Sequence, residues 1–151
     1  MRRRTIASLM FATLLAACAH QGAERPAGMA WSLTSTEREG AKLTYGQPDS
    51  DNLDLMLTCL PKSGQVQVWL MGPDMTKETA LNLRSGGRVD HLPARVDTDS
   101  YDVLRAVAPA DAAVFATFAE TGRIGASTAQ QPSLLPSAGA TAARFLASCR
   151  R

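Results

Sequence analysis

A chain of 151 residues is long enough for one hydrophobic core and short for two. An apolar fraction of 45% with 20% charged residues excludes wholesale disorder. A formal charge of +2 offers no electrostatic case for a nucleic-acid partner. The chain opens with a basic head, Arg2, Arg3 and Arg4, followed by an uncharged, mostly apolar stretch of twelve residues over 6–17. A transmembrane helix needs about 20 such residues. A basic head, a short apolar run and small residues at its end form the pattern of a secretory signal.

The end of that run, Leu15-Ala16-Ala17-Cys18, resembles the lipobox of bacterial lipoproteins. In that family the signal is removed before the cysteine, whose thiol carries a diacylglycerol and whose new amine is usually acylated. The resemblance implies a leader over 1–17 and a palmitate-type anchor on Cys18. The partner it implies is the lipid bilayer, and the location is the periplasmic side of a membrane. Ala19 stands where an Asp resembles an inner-membrane retention signal, which favours the outer membrane. The competing reading is an ordinary signal peptide with a chance cysteine. Losing the leader removes three of the sixteen basic residues and none of the fourteen acids, so the net charge falls to −1. That argues further against nucleic acid.

Residues 18–28 read as the lipidated cysteine and a small, polar tether, and 29–151 as one β-rich domain. Strands are expected over 30–34 and 41–45, followed by a turn-rich loop over 46–52. Residues 53–59 alternate so that Leu53, Leu55, Leu57 and Cys59 share a face. After a turn at 61–64, residues 65–71 alternate again, which is a hairpin signature. Gly86-Gly87 separates candidate strands 79–84 and 88–96, and 102–108 is another. Pro109-Ala110-Asp111 reads as the opening of a helix reaching about residue 119, ended by Gly122. A short strand over 123–127 and a helix over 138–148 follow. The expected class is α+β and β-dominated: an antiparallel sheet, curled or sandwich-like, with one or two short helices near the C-terminus. Strands that follow strands without crossover helices disfavour a parallel sheet.

With Cys18 taken by lipid, Cys59 and Cys149 remain, and export permits a disulfide between them. Cys149 shares a helical stripe with Ala142, Phe145 and Leu146, so both thiols point inward. The alternative is two reactive thiols, without a CxxC pattern to support it.

The sequence carries no recognisable catalytic set. His20 and His91 have no metal-binding company, so neither a metal nor a cofactor is expected. Asp49, Asp51 and Asp54, and again Asp97, Asp99 and Asp102, lack the Gly and Glu positions of a calcium loop and read as turn chemistry. A nucleophile elbow and a phosphate loop are both missing from the sequence.

What stands out is a hairpin with apolar side chains on both faces. Met56, Trp69 and Met71 lie opposite the leucines and valines. Either a second layer covers them, or they form a contact patch. The residues proposed for contact are Met56, Trp69 and Met71 with Tyr45 and Asn52 of the neighbouring loop. Tyr45-Gly46, Pro48, Asp51, Cys59 and Cys149 look like their counterparts in small exported Gram-negative proteins of unassigned function. Lysozyme-inhibitor lipoproteins are similar in architecture alone. The expectation is a non-enzymatic envelope lipoprotein that binds a protein or another envelope component. The alternatives are an inhibitor or small-ligand binder acting on a cell-wall hydrolase, and a carboxylate-based hydrolase.

Overall fold

The structure, a computed structural model, describes residues 28–73, 75–97, 103–129 and 134–150. The leader, Cys18, most of the tether, His20, Asp99 and Asp102 lie outside the described residues. The described chain is β-dominated. Its strands are β1 (Ala30–Thr36), β2 (Gly40–Gly46), β3 (Leu53–Cys59), β4 (Gln65–Met71), β5 (Ala80–Ser85), β6 (Arg88–Asp97), β7 (Val103–Pro109) and β8 (Gly125–Ser127). Two short helices, α1 (Ala113–Thr121) and α2 (Ala140–Cys149), complete it. None of the described helices is long and apolar enough to cross a membrane.

The eight strands form one antiparallel sheet in the order β1-β2-β3-β4-β7-β6-β5-β8. It consists of two meanders, β1 to β4 and β5 to β7, sealed where β4 pairs with β7 from Gln65↔Pro109 to Met71↔Val103, with β8 added along β5. The sheet is curled rather than doubled into a sandwich. β6 pairs with β5 through Pro93, then with β7 from Ala94 onward. Past the proline, which has no N–H to give, the Ala94 N–H reaches the Thr79 carbonyl at 2.9 Å. The curl brings the far edge around. Trp31 on β1 meets Phe118 of α1 with ring centroids 6.2 Å apart, although α1 packs on β5 and β6.

Alternation decides which face is filled. Leu43, Leu55, Leu57, Val66, Val68, Leu81, Leu83 and Leu104 all point to one side and are fully buried. Both helices close that side. Val114, Phe115 and Phe118 descend from α1, and Ala142, Phe145, Leu146 and Cys149 from α2. Each of the valine, phenylalanine and leucine side chains among them gains about 1.5–3 kcal/mol on leaving water. Cys59 and Cys149 are both buried at disulfide distance, Cα to Cα 5.5 Å, and tie α2 to the sheet.

One expected boundary is wrong. Pro109 does not open α1; it ends β7 opposite Gln65. At a strand end its missing N–H costs no ladder bond. The chain then turns, the Ala112 N–H bonding the Pro109 carbonyl at 3.1 Å, and the helix starts at Ala113 without a side-chain cap. Gly122 does end it, in the left-handed conformation at φ 65°, with its N–H on the Phe118 carbonyl.

Candidate functional site: the open face of the sheet

No described helix covers the other face of the sheet. The register lines up its side chains in rows. Ser32, Thr44, Met56, Trp69, Arg105 and Arg95 are successive partners across β1, β2, β3, β4, β7 and β6. Thr34, Lys42, Thr58, Gln67 and Val107 form the next row. Met71, Val103 and Asp97 form a third. The β1 to β3 end of this face is hydroxyl-rich, and the β4 to β6 end is aromatic and cationic.

At that second end Arg105 lies over the Trp69 ring, 3.9 Å from its centroid, and pairs with Asp97 two positions past Arg95. A guanidinium over an indole is worth about 0.5–1 kcal/mol when exposed and more when desolvated. The ion pair is surface-exposed in part, so its own contribution is about 0–1 kcal/mol. Its role is to fix where Arg105 sits. Trp69 is half-buried, and its indole N–H is shut off from solvent without an acceptor among the described residues. An N–H left in that state costs about 1–3 kcal/mol. Around this cluster runs an open groove of about 650 Å³, lined by Gln67, Trp69, Pro93, Arg95, Arg105 and Val107 among others. Val107 is 51% exposed, large for a strand valine.

Met56, Trp69 and Met71 do share this face, each half-buried. Tyr45 does not. It is 3% exposed on the helical side, where its ring lies 5.3 Å from that of Trp31. The sequence carried the signal, because Tyr45 has the same parity as Ala41 and Leu43, both buried. Asn52 is exposed at the end of the β2–β3 loop, and its carbonyl accepts the Gln47 N–H at 2.9 Å. It belongs to the loop, apart from the rows that carry Trp69. Arg95 and Arg105 are the residues that sequence reasoning missed. Only the β6–β7 pairing brings them beside Trp69, and charged residues on a strand otherwise read as solvated.

The remaining candidates sit elsewhere. His91 shares a hydrogen bond between Nδ1 and Asn82 Oδ1 on exposed β5–β6 surface. Asp49 takes a left-handed turn at φ 56°, and Ser50 Oγ donates to the Gln47 carbonyl, so this loop is braced internally. Among the described residues, no three His, Cys, Asp or Glu side chains gather where they could hold a metal.

The fold defines an α+β protein with one sheet surface covered by its two helices and one that no described helix covers. No protein family, curated protein or solved structure matches the chain.

Proposed function

We propose that this chain is an envelope lipoprotein, anchored through acylated Cys18, whose β-rich domain binds a protein partner on the open face of its sheet. The observation that carries this reading is the contrast between the two faces. One is filled by Phe115, Phe118 and Phe145. The other leaves Met56, Trp69 and Met71 half-buried and Val107 exposed, with Trp69 and Val107 lining a groove. Aromatic, methionine and arginine side chains on an uncovered surface are the composition that interfaces favour. The reading makes the domain a binding module rather than a catalyst. The second reading, an inhibitor or small-ligand binder directed at a cell-wall enzyme, would use the same groove.

The test is in-cell capture from the full-length chain carrying a photoreactive residue at one of two positions. Val107 lies on the open face, and Arg144 is exposed on α2. Capture of one abundant protein from position 107 but not from 144 supports the reading. Equal capture from both positions, or capture from 144 alone, overturns it. Cell-wall fragments with no protein at 107 would transfer support to the small-ligand reading.

A further inference from the structure

Arg95 and Arg105 are directly opposed partners of the β6–β7 ladder, and both stand on the open face. Like charges placed opposite each other on an antiparallel pair repel. Arg105 is compensated by Asp97 and by the Trp69 ring. Arg95 is exposed and has no ion-pair or hydrogen-bond partner among the described residues. Of the residues named for the groove, Gln67, Pro93 and Val107 supply no charge to offset it. Among the described residues the groove therefore holds two guanidiniums and one carboxylate, and that carboxylate is already committed to Arg105.

An uncompensated guanidinium in a groove suits a carboxylate, whose two oxygens match its planar fork. We propose that the open face takes an acidic segment of the protein partner, with an Asp or Glu carboxylate of that segment held by Arg95 beside the Trp69–Arg105 stack. This rests on the open-face reading above and adds the chemistry of the partner. Two observations favour a protein segment over a small carboxylate. The groove is open to solvent, whereas small-molecule sites bury about 70–90% of their ligand. Beyond the groove, the register row runs on from Arg95 through Trp69 to Met56, a mixed charged and apolar strip that a macromolecular surface can cover.

The experiment uses the full-length chain in cells with the photoreactive residue at Val107, comparing unchanged Arg95 with Arg95→Gln and Arg95→Lys. Both substitutions are at an exposed position, and unchanged melting curves verify the fold. The expected result is a loss of capture of about ten-fold for Arg95→Gln, the scale of one charge-assisted bond. Arg95→Lys keeps the charge without the fork and falls between the two. The captured partner peptide is expected to carry Asp or Glu beside the crosslinked residue. Undiminished capture by Arg95→Gln, or a captured segment without acids, overturns the acidic-segment inference and leaves the open-face reading standing. Complete competition by free glutamate assigns the site to small carboxylates and overturns it too. No capture from position 107 in the unsubstituted chain overturns both readings.

Discussion

Cys59, the last residue of β3, and Cys149, the last residue of α2, stand 5.5 Å apart Cα to Cα although 90 residues separate them in sequence. The link crosses between the sheet and the helical layer. It encloses β4 to β8 and α1, so most of the domain folds inside the loop it closes. A closed loop of that length restricts the denatured chain by an amount worth about 4–5 kcal/mol. Replacing both cysteines with alanine is expected to lower the unfolding free energy by about that much, measured by urea denaturation under oxidising conditions. A loss under about 1 kcal/mol would mean that the denatured chain is already restrained without the bond.

Trp69 and Phe118 separate the two faces energetically. Phe118 is fully buried between α1 and the sheet, so Phe118→Ala is expected to cost about 3–5 kcal/mol. Trp69 is half-buried on the open face, and Trp69→Ala is expected to cost about 1–2 kcal/mol while abolishing partner capture from position 107. Thermal melts of the two variants side by side make the comparison. Should Trp69→Ala unfold the domain as Phe118→Ala does, Trp69 is core and the open-face reading loses its anchor.

The strands were legible because alternation is local. Leu53 to Cys59 and Gln65 to Met71 fall where their period-two pattern ends, and the two-residue hairpin at Gly86-Gly87 follows from glycine chemistry. The inward pointing of Cys59 and Cys149 was legible for the same reason. The join of β4 to β7 was not, because pairing between distant strands leaves no mark in either one. The candidate site depends on that join. Trp69 could be placed on a face from its own strand, but Arg105 reaches it only through the Trp69↔Arg105 register, and Arg95 through one strand more. Pro109 was misread because proline suits both a helix start and a strand end. The choice was made by the pairing with Gln65, which is also non-local.

Gly64 and Gly122 share a backbone angle, φ 65°, in different surroundings. A Cβ on Gly64 would meet open space. A Cβ on Gly122 would lie 2.6 Å from the Gly139 nitrogen and 2.7 Å from Ser137 Oγ, inside the turn that leads into α2. The Gly122 carbonyl also accepts the Ala138 N–H at 2.7 Å, so the turn cannot easily move away. Gly64→Ala is expected to cost about 1 kcal/mol, the left-handed penalty alone. Gly122→Ala adds the clash and is expected to cost about 2–3 kcal/mol. Denaturation midpoints of the two variants test the difference, and equal costs would show that the α1–α2 connection yields.

The anchor proposed on Cys18 makes a separate prediction. A single acyl chain binds membranes marginally, whereas two or more hold a protein stably, at about 0.8 kcal/mol per buried methylene. Cys18→Ser is expected to abolish labelling by an alkyne fatty acid. The disulfide and the melting curve of the domain are expected to stay unchanged. Wild-type protein that takes no label removes the lipobox reading. Loss of partner capture in a released but folded Cys18→Ser variant would show that the partner is itself held at the membrane.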